Sequence, residues 1–336
     1  MIDGRSFAAG QAFLLAVKTH WTRVIYPAVR AEYEKSNEFP QPLYRYFCWL
    51  ERHLQRFKYS GRYGLQAYHS QDRARLEASL ADAQVDLKDI DLPEYYTAVD
   101  IHQHPGGVWG DPIAGFVYER GARSTTPLAA TRHKDLHQRL TAAALEGRPA
   151  PARVLDMACG FGKSTRPFYE ALPEAEIEAI DLSAPCLRLA ARDAHQAGAR
   201  NVRFRQRDAA DTGYADGSFD LVTSTMLLHE MPPKAVERTF AEAARVLKPG
   251  GRMVHLDFLP ACYDQATEFD RQIHFGHGRR NNEPFMEPLA KMDLAGLLGR
   301  LGFRNVEIRP FEEADGTLAG SYRYWRFPWA LISAER

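Results

Sequence analysis

Residues 154–162 read Val-Leu-Asp-Met-Ala-Cys-Gly-Phe-Gly, and Lys163-Ser164-Thr165 follow. An apolar run ends at Asp156, turns through glycines and opens a helix, which is where a doubly wound α/β sheet places a nucleotide-like ligand. Glycine lacks Cβ, so the backbone turns sharply and comes close to a ligand, and the first N–H groups of the helix are available as donors. The loop alone leaves the ligand open. Gly160 and Gly162 satisfy the first half of a dinucleotide fingerprint, but its third glycine would fall on Thr165. Gly162-Lys163-Ser164 ends like a phosphate-binding loop, but the earlier glycine which that loop requires is Met157.

The following segments narrow the choice. Ile177–Asp181 reads as a short buried strand, and Asp181 lies about twenty residues past the loop, where an acid grips ribose hydroxyls. Ser183 is an N-cap with Pro185 in the first turn, and Gly198 ends that helix. Strands are predicted at 202–207, 219–224 and 252–257, with a long helix from Pro232-Pro233 to Lys248-Pro249-Gly250-Gly251. The β-α-β rhythm predicts a Rossmann-like, doubly wound, mostly parallel sheet with helices on both faces. Asp156, Asp181 and Asp208 each close a strand on the carboxyl edge, where such folds bind ligands.

From Arg153 to Asp257, about a third of the chain, the sequence resembles class I S-adenosylmethionine-dependent methyltransferases, in particular the ubiquinone/menaquinone C-methyltransferase-like branch. The matching stretches are VLDMACGFG, EAIDLS, RQRDAAD, GSFDLVTSTMLLHEM and EAARVLKPGGRMVHLDF. Ala158 stands where the family pattern has its first glycine. The resemblance implies S-adenosylmethionine as cofactor and S-adenosylhomocysteine as product. It also implies that backbone from Ala158 through Cys159 and Gly160 to Gly162 passes the methionine part, and that Asp156 holds its amino group. Asp181 would bind the ribose with Leu182 on the adenine. Asp208 would take the adenine amino group with Ala209 adding a backbone contact. Ser224, Thr225 and Met226 would line the pocket near the sulfonium. Tyr118, just ahead of the first core strand, is a further candidate cofactor contact.

Outside this core, residues 1–130 are expected to form an N-terminal helical domain covering the substrate. Helices are predicted at 12–33 and 43–59, with a shorter one at 73–85. Residues 131–336 are expected to form the cofactor-binding domain. A long loop at about 259–288 is expected as a lid insert, because loops of that length in a compact domain often cover a site. A helix is expected at 292–301, followed by strands at 303–310 and 322–332, with the last strand antiparallel between its neighbours.

A histidine with a pKa near working pH suits proton removal from a methyl acceptor. His229, after the fourth core strand, is the first candidate, followed by His102, His104, His274 and His277. Arg279, Asn281, Asn282 and Glu283 are candidate substrate contacts. No metal is expected, although His102-x-His104 and His274-x-x-His277 with Glu283 or Asp257 would be the ligands of a metal alternative.

Forty-three basic and 43 acidic residues cancel, leaving no basic field for nucleic acid, and Arg203, Arg205 and Arg207 are expected to form a solvated strand face. No stretch is long enough to span a membrane, and the run at 12–17 is too short for a signal-peptide core. Cys48, Cys159, Cys186 and Cys262 are scattered, which points to a reducing cytoplasm. The expected partner is a small-molecule substrate, with a homodimer as the oligomer to test. The expected function is methyl transfer to oxygen or carbon of a small molecule. Non-methylating chemistry with the same cofactor and a non-catalytic cofactor-binding scaffold are the alternatives.

Overall fold

The computed structural model describes residues 3–123, 133–264, 266–313 and 325–336, with the side chains of 133–135 left aside. Its centre is one eight-stranded sheet in the order β1-β4-β3-β2-β5-β6-β8-β7. The strands are β1 (Val85–Asp86), β2 (Arg153–Met157), β3 (Glu176–Asp181), β4 (Val202–Gln206), β5 (Phe219–Thr225), β6 (Leu247–Phe258), β7 (Arg304–Pro310) and β8 (Trp329–Glu335). From β1 to β6 every pairing is parallel, and β8 lies antiparallel between β6 and β7, as expected from sequence. The chain winds from β2 through β3 to β4, then returns to place β5 on the other side of β2. That reversal opens a crevice at the carboxyl ends of β2 and β5.

The sheet is covered on both faces, so its strands bury both sides. On β2, Val154 packs with Leu140, Phe168 and Leu187. The next residue, Leu155, points to the opposite layer with Val222, Phe240 and Met253. Ser183 caps the helix Ala184–Gln196 by accepting from the Cys186 amide, and Pro185 sits in its first turn.

Above the carboxyl edge lies a roof of helices. It is built from α1 (Gly4–His20), a π-helical turn at Trp21–Ile25, α2 (Tyr26–Ser36) and α3 (Gln41–Tyr59). Trp21, Tyr26, Val29, Phe47 and Leu50 form its core together with Phe269 and Ile273 from much later in the chain.

Those two residues belong to the segment expected as a loop, and here the structure corrects the sequence reading. Glu268–Arg280 is an α-helix, started by a capping box in which Thr267 and Asp270 satisfy each other's backbone N–H groups. Phe269 and Ile273 bury one stripe of it in the roof. Arg30 pairs with Asp270, and Arg280 with Glu51, fastening it to α2 and α3. The stretch with Gly115 and Gly121 also forms a helix, Ala114–Ala122.

The helix expected at 73–85 stops at Ala78, because only Leu76 and Leu80 give that charged segment an apolar side. Its end, Val85–Asp86, instead joins the sheet beside β4. Arg205 and Arg207, expected to be solvated, reach Asp86 at 2.5 and 2.8 Å, and Arg205 also holds Glu178 at 2.6 Å. Residues 322–324 of the expected last strand lie outside the described residues, and pairing begins at Trp329. Among the described residues no helix is long and apolar enough to cross a membrane.

The glycine loop combines two kinds of glycine. Both Gly160 and Gly162 have positive φ, +53° and +81°. Space beside Gly160 is open, whereas a Cβ on Gly162 would stand 2.9 Å from Ala190 Cβ. Gly162→Ala should therefore cost about 2–4 kcal/mol from backbone strain plus overpacking, and Gly160→Ala about 1–2 kcal/mol from strain alone. Urea melts of the two variants check that order.

Candidate functional site

Between the carboxyl edge and the roof lies a cavity of about 220 Å³. One half of it is floored by the loop Ala158–Phe161, with Asp181, Leu182, Asp208, Ala209, Thr225 and Met226 around it and Tyr118 above. Asp181 Oδ2 accepts from the Gly160 amide at 2.8 Å and Oδ1 from the Ser183 amide at 2.7 Å. Burial outweighs those hydrogen bonds and pushes its carboxyl up to about 6. Asp208 Oδ1 accepts from the Ala210 amide at 2.8 Å. Ala158 adopts φ +57°, the left-handed conformation that glycine supplies at the same point of the family pattern, and Met226 opposite has φ +58°. Holding two non-glycine residues there costs roughly 1–3 kcal/mol each, a strain that clusters at ligand sites.

The other half holds the acid–base groups. After β5 the chain makes a short turn of 3₁₀ helix, Leu228–Glu230, which points His229 into the cavity. Asp257, near the end of β6, fixes that turn. It accepts from His229 Nδ1 at 2.6 Å, from the Leu228 amide at 2.7 Å and from the Phe258 amide at 2.7 Å. Burial would lower the His229 pKa, but the charge and hydrogen bond of Asp257 prevail and hold it at about 9. His102, whose φ is +55°, spans two carboxylates: its Nδ1 lies 2.9 Å from Glu283 and its Nε2 3.3 Å from Glu230. Against burial, these carboxylates raise it to about 9, while His102 brings Glu283 down to about 2. His277 Nδ1 donates to Glu51 at 2.5 Å, and Trp325 and Phe327 pack on its ring.

The structure brings together most of the residues singled out from sequence: Ala158, Cys159, Gly160, Asp181, Leu182, Asp208, Ala209, Thr225, Met226, Tyr118, His229, His102, His277, Asn281 and Glu283 all line the cavity. Seven others stand apart. Asp156 sits behind the loop, accepting from the Thr165 hydroxyl at 2.6 Å and the Ser164 hydroxyl at 3.2 Å. Its Oδ1 is buried without a partner, and burial lifts the carboxyl to about 7. Gly162 packs on Ala190 and Phe204 instead. Ser224 alternates away from Thr225 and bonds His255 Nδ1. His104 is fully buried against Tyr59, ring centroids 4.9 Å apart, and burial drops it to about 4. His274 turns into a small separate hollow with Tyr26 and Pro260, and burial drops it to about 3. Arg279 pairs outside with Glu287 at 2.9 Å. Asn282 donates to the Asp100 carbonyl at 3.0 Å.

Sequence reasoning missed Glu51, Lys58 and Glu230, which also line the cavity. The signal for the first two was available. Phe47, Glu51, Leu54 and Lys58 recur at helical spacing along one stripe of α3, so two charges occupy positions that would otherwise be core.

With this geometry in view, residues 154–251 match the family model described as the methyltransferase domain. The chain is also 32% identical over 193 residues to the ubiquinone/menaquinone biosynthesis C-methyltransferase UbiE of Methylobacterium nodulans, covering 53% of this chain and 75% of that one. It belongs to the class I S-adenosylmethionine-dependent methyltransferase family. Within that family it is 38% identical over 126 residues to the demethylmenaquinone methyltransferase of Thermus thermophilus, covering 38% of this chain and 56% of the relative. It is 33% identical over 150 residues to the UbiE of Stutzerimonas stutzeri, covering 44% and 51%. The chain thus spans about half the length of these last two relatives.

Asp257→Asn removes the charge that opposes burial of His229. The imidazole should then titrate below 6.5 instead of at about 9, which NMR of labelled histidine reads directly. A raised histidine pKa stabilises the fold fully below 6.5 and loses that contribution as pH rises through about 9. The stability advantage of the wild type over Asp257→Asn should therefore shrink between those pH values in thermal melts.

Proposed function

We propose that the chain is a methyltransferase that uses S-adenosylmethionine to methylate oxygen or carbon of a small organic molecule held between the sheet and the helical roof. The observation that carries this reading is a single cavity lined by Asp181, Asp208 and His229, the last held by Asp257 from outside the lining. The residues present fit the cofactor. Gly160 leaves open space where a Cβ would intrude. Asp181 and Asp208 offer acceptors to ribose hydroxyls and to an adenine amino group. When bound, S-adenosylmethionine supplies a methyl group already activated on a sulfonium.

The chain's own work is then alignment and proton handling. Trp21, Phe258, Trp325 and Phe327 give the acceptor half of the cavity flat apolar walls. Nδ1 of His229 is committed to Asp257, which leaves Nε2 to take the acceptor's proton, and Asp257 stabilises the imidazolium that results. Because His229 is held at about 9, only a minor fraction is ready to accept at neutral pH, and turnover should rise with pH towards about 9. The helices of residues 4–59 act as the roof, and the helix Glu268–Arg280 belongs to it. The balanced net charge supports a small molecule rather than nucleic acid, and four unpaired cysteines fit the cytoplasm.

Calorimetry with S-adenosylhomocysteine tests the cofactor half. Asp181→Ala should weaken binding by at least about tenfold through lost buried hydrogen bonds. The reaction is tested by mass spectrometry on a panel of phenols, enols and carboxylic acids with S-adenosylmethionine. S-adenosylhomocysteine should accumulate, and His229→Gln should cut turnover by about a hundredfold or more with cofactor affinity unchanged. Release of methylthioadenosine, or no consumption of the cofactor across the panel, would overturn the proposal.

A further inference from the structure

The zero net charge of the chain conceals an uneven distribution. Residues 4–59 of the roof carry nine Lys or Arg against four Asp or Glu, so the remainder of the chain is correspondingly acidic. The same residues, a sixth of the sequence, hold six of the eight large hydrophobic side chains that are exposed among the described residues. Positive charge and bare apolar surface therefore coincide, the combination that marks contact with an acidic surface. The outer side of α3 concentrates both. Phe47, Leu50, Leu54 and Tyr59 turn inward. Tyr46, Trp49 and Phe57 stand 48–53% exposed and form a ladder through His53. Ring centroids are 6.2 Å apart for Tyr46 and Trp49, 4.5 Å for Trp49 and His53, and 6.0 Å for His53 and Phe57. Arg45, Arg52 and Arg56, spaced by seven and then four residues, run beside that ladder. All three are exposed, and among the described residues none has an ion pair or a side-chain hydrogen bond. Three of the roof's four acids are spent elsewhere, Glu32 on Lys35, Glu34 on Arg30 and Glu51 on Arg280. The fourth, Glu38, lies in the turn before α3.

We propose that this outer face of α3 docks on a membrane surface that bears anionic lipid. The charge complementarity is direct: three arginines without a carboxylate partner meet lipid phosphates and the negative potential of such a surface. The indole of Trp49 and the phenol of Tyr46 each have an apolar body and a polar tip, which suits the headgroup layer, and Phe57 adds apolar area at the acyl boundary. The arginine stems can lie along the same boundary while their guanidinium groups stay hydrated. A second copy of the chain fits this face less well, because a twofold interface sets a patch against itself and would oppose arginine to arginine. Nucleic acid also fits less well, since bases need free ring faces to stack on and a face of Trp49 is already taken by His53. The contact is peripheral, made by one side of a helix whose other side is built into the roof, and it holds whatever reaction the cavity performs.

The test sediments the full chain with vesicles of phosphatidylcholine alone and of phosphatidylcholine containing about 30% phosphatidylglycerol, in about 0.05 M salt where screening is weak. The anionic vesicles should bind about tenfold or more tighter than the neutral ones, and about 1 M salt should abolish that preference. Arg45→Gln, Arg52→Gln and Arg56→Gln together should weaken binding to the anionic vesicles by about a hundredfold. Brominated lipid in the anionic vesicles should quench part of the tryptophan fluorescence, and Trp49→Phe should remove that part. No binding to either vesicle, equal binding to both, binding undiminished in the triple variant, or quenching undiminished in Trp49→Phe overturns the proposal. So does a chain that ignores vesicles but self-associates through Trp49 or binds a single-stranded oligonucleotide. If the triple variant does not fold, the lipid preference of the wild type and the quenching comparison decide the matter.

Discussion

One carboxylate organises the floor of the cavity. Asp257 ends a parallel strand inside the protein, where an unpaired charge is costly, and it is satisfied by two backbone amides and one imidazole. The amides belong to Leu228 and Phe258, so the turn after β5 and the end of β6 are locked to the same group. His229 acquires its position and its raised basicity together, because both come from the oxygen that holds it. The neighbouring acids follow the same rule. Asp181 is met by amides of Gly160 and Ser183, which fixes the glycine loop to the end of β3.

The sheet was legible because its signals are local. Alternating apolar residues, terminal acids and helix-start chemistry at Ser183 each follow from a few neighbouring positions, and they agree with one another. The helix Glu268–Arg280 was not legible in the same way. Two large apolar residues, Phe269 and Ile273, carry its buried stripe, and its glycines and histidines have the composition of a loop. Its start was nevertheless written in Thr267 and Asp270 as a capping box.

Among the candidate site residues, most of those at the glycine loop and strand ends line the cavity, since sheet topology dictates where a strand end faces, although Asp156, Gly162 and Ser224 do not. The histidines divide less predictably. His102 and His104 are two residues apart, yet one bridges carboxylates in the cavity and the other stacks on Tyr59 in a neutral, fully buried state. Such a difference depends on side-chain direction and on partners from other parts of the chain, which spacing does not reveal. Glu51 and Lys58 show the converse. As charged residues on a helix they suggest solvent, and only their place on the apolar stripe of α3 marks them as internal.

His102 also bears on how such a protein can change over evolutionary time. Its imidazole joins Glu230 beside the sheet to Glu283 just past the helix Glu268–Arg280, while Val85–Asp86 from the same N-terminal region is woven into the sheet edge. The helical cover is therefore not a cassette. Exchanging it for another would strip two acids, one of them deeply buried, of their shared counter-charge, and orphaning a buried charge of this kind costs about 3–5 kcal/mol. New specificities are reached more readily by altering single positions within the existing cover than by recombining it wholesale.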